Sequence, residues 1–106
     1  MLVRNQAAAS HLYRIAQEAT HNALKHSRAT RIDIELRRSP LGLELNVRDN
    51  GVGLPTGPAP RGLGLRTMEQ RARLMGARLK VQPHPDGGVE VLCDVPKAVV
   101  ERVNAG

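Results

Sequence analysis

Four short stretches of this sequence alternate apolar and polar residues with period two, and no other feature limits the fold so sharply. Ile32, Ile34 and Leu36 alternate with Arg31, Asp33, Glu35 and Arg37. Leu43, Leu45 and Val47 alternate with Glu44, Asn46 and Arg48, and Leu79 and Val81 with Arg78, Lys80 and Gln82. Val89, Val91, Cys93 and Val95 make the last set. Successive side chains on a strand point to opposite faces, so each of these strands is apolar on one face only. Such strands build a mainly antiparallel or mixed sheet covered by helices on one face. Ser39-Pro40-Leu41-Gly42 supplies a turn for the first pair, and Pro83 to Gly88 supplies one for the last.

Two helical patterns flank these pairs. From His11 to His26 the apolar residues Leu12, Ile15, Ala16, Ala19 and Ala23 fall on one stripe, with Ser10 as a candidate N-cap. A second helix is expected from about Gly64 to Met75, with Leu65, Met68, Ala72 and Met75 facing inward and Gly76 placed to end it. The order is helix, two strands, a Gly- and Pro-rich loop from Asp49 to Arg61, helix, two strands. That order predicts an α+β fold, a two-layer α/β sandwich. Residues 1–10 read as a lead-in, 11–96 as the single domain, and 97–106 as a tail or a short extra helix.

The net charge of +6 raises the question of a polyanionic partner. The arginines are scattered along the chain, and Tyr13 is its one aromatic residue, so no platform exists on which bases could stack. A solvated basic surface is the simpler account, and no nucleic-acid partner is expected. The sequence has no apolar run of membrane-spanning length and no signal-peptide pattern, so a soluble protein or a cytoplasmic fragment is expected. Cys93 stands alone and falls at an apolar position of the last strand, as a small core residue would. The spacings of the four histidines give no zinc pattern.

Three segments carry candidate chemistry. Glu18 and Asn22 lie four apart on the first helix with Lys25 one turn further, a row of oxygen donors and a cation that could hold Mg²⁺ and phosphate together. A polar helix face with an ordinary Glu–Asn contact would read the same way. Next comes Asp49-Asn50-Gly51-Val52-Gly53, directly after a strand. A carboxylate there could accept a hydrogen bond from the exocyclic amine of adenine and would reject guanine, or it could serve only its own turn. An EF-hand does not fit the spacing. Third is Arg61-Gly62-Leu63-Gly64-Leu65, a glycine loop entering a helix, where free N–H groups and the helix dipole favour an anion. The dinucleotide fingerprint and the Walker A lysine are both absent, so any nucleotide is held by another scheme.

Taken together and in this order, the three segments resemble the N box and the two glycine boxes of the ATPase superfamily shared by gyrase, heat-shock chaperones, mismatch-repair proteins and histidine kinases. Leu12-Tyr13-Arg14-Ile15-Ala16-Gln17-Glu18-Ala19 and Gly64-Leu65-Arg66-Thr67-Met68-Glu69-Gln70-Arg71-Ala72 are similar to the sensor histidine kinase branch typified by nitrate sensors. The resemblance spans His11 to Pro96 and implies a Bergerat-type ATP-binding fold with ATP and Mg²⁺ as cofactors. It implies that Asn22 ligates Mg²⁺, that Glu18 organises the metal through water, and that Lys25 neutralises phosphate charge. It places His26 near the base or sugar and Asp49 on adenine, with Gly51, Gly53 and Leu54 shaping the pocket. Gly62, Leu63, Gly64 and Leu65 would form the hinge and phosphate end of a lid, which the Gly- and Pro-rich composition predicts to be mobile. One departure is that Val89 follows Gly87-Gly88 where relatives often carry threonine.

The activity implied is transfer of the ATP γ-phosphoryl group to a histidine on a dimerisation domain, with a response regulator as the downstream partner. None of His11, His21, His26 or His84 is followed by the acidic residue usual at a phosphoacceptor histidine. The chain is therefore expected to bind Mg-ATP without phosphorylating itself and, since the hairpin that bears the phosphoacceptor is also the usual dimer contact in the family, to be monomeric. The alternatives are an anti-sigma-factor-type serine kinase and a non-catalytic ATP-binding interaction module.

Overall fold

A computed structural model describes residues 6–26, 28–52 and 64–101. Its elements are α1 (Gln6–His26), β1 (Ile32–Ser39), β2 (Gly42–Asp49), α2 (Leu65–Leu74), β3 (Arg78–Pro83), β4 (Val89–Pro96) and α3 (Lys97–Glu101). The strands form one sheet in the order β1-β2-β4-β3, with every neighbouring pair antiparallel. The α+β sandwich read from the sequence is the observed architecture.

Register explains where the core sits. Val47 pairs with Ile34 on one side and Val91 on the other; Leu45 pairs with Leu36 and Cys93; Leu43 pairs with Val95. These rungs share one face, and α1 and α2 cover it with Leu12, Ile15, Ala19, Met68, Ala72 and Met75. Ile15 is 0% exposed, and full burial of such a side chain is worth about 1.5–3 kcal/mol. Val99 and Val100 of α3 pack against the same cluster, so the tail begins as the short helix that the sequence allowed. The opposite face is polar: Arg37 pairs with Glu35 and Glu44, and Glu90 accepts from Asn46 and Gln82.

Two expectations change. Helix α1 starts at Gln6, so Ser10 lies inside it and does not cap it. Ala7-Ala8-Ala9 carries no apolar–polar contrast by which to mark a helix, yet alanine is the best intrinsic helix former. Ala8 is buried in the core, which ties this stretch to the fold. The apolar row of β1 faces the helices, but Ile34 and Leu36 remain 56% and 41% exposed because β1 is an edge strand that α1 barely overlies. No helix among the described residues is long and apolar enough to cross a membrane.

Candidate functional site

Asp49 ends β2 and continues the inward row of Leu43, Leu45 and Val47, so a carboxylate takes the next place where an apolar side chain would go. It is 7% exposed and is the buried charged residue among those described. Burial of an ionised group needs hydrogen bonds, and two backbone donors provide them. The N–H of Gly51 reaches Asp49 Oδ1 at 2.8 Å, and the N–H of Val89 reaches the same oxygen at 3.3 Å. Oδ2 takes part in neither bond. The carboxylate thus serves its own turn through one oxygen, and among the described residues these two bonds leave Oδ2 for another donor.

The donor from Val89 is delivered by the turn between β3 and β4. His84 N–H donates to the Gly88 carbonyl at 3.0 Å, and Gly87 N–H donates to the His84 carbonyl at 2.9 Å, closing that turn. Gly88, at φ +86°, lies directly against the Asp49 backbone, where a Cβ would collide with the Asp49 carbonyl oxygen. Gly88 and the Val89 N–H belong to the surroundings of Asp49, a role not read from the sequence. Its one signal there was the Gly87-Gly88 doublet.

Helix α1 presents Glu18 and Asn22, both half-buried, on adjacent turns, and Lys25 is exposed one turn beyond. Helix α2 begins at Gly64, which adopts the left-handed conformation at φ +69°. The Glu18 carboxylate packs against Gly64 so closely that a Cβ there would collide with Oε1. The fold therefore joins the first and third sequence segments at this contact. The positive end of the α2 dipole lies beside a carboxylate, a favourable pairing. Leu65 opens α2 and packs its side chain partly against the core. His26 is the last residue of α1, and its side chain lies outside the described part of the molecule. Gly53, Leu54, Gly62 and Leu63, together with the rest of the expected lid, also lie outside the described residues.

Comparison with known proteins gives a consistent result. Residues 7–99 match the family described as histidine kinase-, DNA gyrase B-, and HSP90-like ATPase. A sensor protein NarQ homolog of Haemophilus influenzae is 40% identical over 88 residues, covering 81% of this chain and 16% of that protein. Sensor protein VraS of Staphylococcus saprophyticus is 37% identical over 87 residues, covering 81% of this chain and 25% of that one. The chain thus spans a quarter or less of the length of these relatives. Among solved structures, the ATP binding domain of PrrB from Mycobacterium tuberculosis superimposes with a TM-score of 0.71 at 32% identity, over 82% of this chain and 67% of that one.

Proposed function

The chain belongs to the histidine kinase-, DNA gyrase B-, and HSP90-like ATPase family, and on that footing we propose that it is the ATP-binding catalytic domain of a sensor histidine kinase. The observation that carries the reading is Asp49: a buried carboxylate, fixed through Oδ1 by Gly51 and Val89, whose Oδ2 neither of them takes among the described residues. The exocyclic amine of adenine is a donor suited to that oxygen. Guanine offers an acceptor at that place, and two acceptors facing each other in a dry site would repel.

Glu18 and Asn22 supply a carboxylate and an amide oxygen on one helix face, the hard donors that Mg²⁺ takes when it shares ligands with phosphate. Asn22 would hold the ion directly and Glu18 through water. When bound, Mg²⁺ neutralises charge on the phosphates. Lys25 adds a positive charge one turn along the same helix. Gly64 brings the start of α2 against Glu18, which supports a phosphate end that both helices would frame. Gly53, Leu54, Gly62 and Leu63 are assigned to the pocket and lid by the family pattern, and His26 to the neighbourhood of the base or sugar.

In this reading the domain positions ATP for transfer of its γ-phosphoryl group to a histidine outside these 106 residues, on a dimerisation domain, and a response regulator receives the phosphate afterwards. The domain acts on the cytoplasmic side and is monomeric by itself. Its similarity to sensor proteins supports this over a serine kinase. The test is to mix the chain with γ-labelled Mg-ATP and a histidine-bearing dimerisation hairpin from a sensor relative. Acid-labile label on the hairpin, none on the chain, and loss of transfer in Asn22→Ala are expected. Acid-stable label on serine, or phosphohistidine on the chain alone, would overturn the assignment.

A further inference from the structure

Asn50 is exposed, yet its side chain is held at three points. Its Oδ1 accepts the N–H of Thr30 at 2.9 Å and that of Arg31 at 2.9 Å, and its Nδ2 donates to Thr30 Oγ1 at 2.8 Å. Its own N–H donates to the Arg31 carbonyl at 3.2 Å. Water could satisfy an exposed asparagine, so these bonds fix geometry beyond filling hydrogen-bonding capacity. They clasp the connection between α1 and β1 to the residue that directly follows Asp49.

That connection needs fixing. It leaves α1 through Arg28 at φ +55°, a left-handed conformation that non-glycine residues adopt only at a cost. On its far side Asp49 is held by Gly51 and Val89. Asn50 thus stands between two parts of the site: the helix bearing Glu18, Asn22 and Lys25, and the strand end bearing Asp49. We infer that Asn50 is a positioning residue that sets the placement of the Asp49 carboxylate relative to α1, and so the fidelity with which adenine is read. The inference rests on the ATP-binding reading above.

A merely structural role would lower the folded fraction and weaken all nucleotides alike, so the readout is a ratio. Affinities for a non-hydrolysable ATP analogue and for its inosine counterpart, which carries a 6-oxo group, are measured with Mg²⁺ on the 106-residue chain well below its melting temperature. Asn50→Ala is expected to lower the adenine preference about tenfold, the scale of a lost hydrogen bond in a dry site. Asn50→Asp keeps acceptors for Thr30 and Arg31 and holds the preference within about twofold of wild type. Thr30→Val, which removes one bond and leaves the backbone bonds, falls between them and serves if Asn50→Ala does not fold. An unchanged preference in Asn50→Ala, or in Thr30→Val where it alone folds, overturns the inference whatever the melting temperature does. A wild type without adenine preference, or a preference unmoved by Asp49→Asn, overturns the reading of Asp49 and this inference with it.

Discussion

Gly88 lies so close against Asp49 that a side chain on residue 88 would occupy the place of the Asp49 carbonyl oxygen. The relationship joins the start of β4 to the end of β2 at the buried carboxylate. Gly87 provides the control: it also has a positive φ, +99°, but among the described residues a Cβ there meets only the Gly51 carbonyl oxygen at 3.8 Å, an ordinary contact. Gly87→Ala should lose only the stability that the strain of a positive φ costs. Gly88→Ala should lose that and about 1–3 kcal/mol more by urea denaturation, and should bind nucleotide more weakly while folded.

Glu18 and Gly64 should couple in a double-mutant cycle. Gly64→Ala carries a left-handed backbone cost of about 1–2 kcal/mol and a collision with the Glu18 carboxylate. Glu18→Ala removes the collision and leaves the backbone cost. The double variant should therefore be more stable than the sum of the singles by about 0.5–3 kcal/mol. Strict additivity would show that the two residues do not touch in solution.

Glu90 should contribute an acid-sensitive increment of stability. Hydrogen bonds from Gln82 and then Asn46 hold its carboxyl below the ordinary value of 4.5. With the folded value lowered, the contribution is fully present above the ordinary value and is lost as pH falls through the lowered one. Urea midpoints followed downward from about pH 6 should fall less steeply in Glu90→Gln than in wild type. Identical acid limbs would contradict the ladder of contacts across β2, β4 and β3.

Cys93 should be inert in the folded protein. It is 0% exposed, and burial pushes its thiol up to about 12, with the Asp94 charge adding to the shift. At about pH 8 almost no thiolate is present, so a disulfide reagent should react only as fast as the domain opens. Rapid labelling under native conditions would count against the packing of Leu45, Leu79 and Cys93 across the sheet.

Most of the architecture is legible in the sequence because period-two alternation reports a sheet with one wet face. The helix stripe of Leu12, Ile15, Ala19 and Ala23 was equally clear, and Gly76 ends α2 in the left-handed conformation expected of it. Ser10 misled because alanines on its N-terminal side show no periodicity. In the candidate site, Glu18, Asn22, Asp49 and Gly51 stand out through residue type and order. The donor from Val89 to Asp49 did not, since a backbone N–H leaves no mark in a sequence and the two residues are brought together by β2–β4 pairing across 40 positions. The Asn50 bonds to Thr30 and Arg31 were hidden for the same reason, being made between segments about 20 positions apart.

Calorimetric titration of the chain with a non-hydrolysable ATP analogue, with and without Mg²⁺, tests the central claim most directly. Wild type should bind one equivalent, more tightly with Mg²⁺. Asp49→Asn should lose binding about tenfold or more, because a donor then competes for the place of the free carboxylate oxygen. Asn22→Ala should abolish the Mg²⁺ effect. A wild type that takes up no analogue, or an Asp49→Asn protein that binds as well as wild type, would contradict the account.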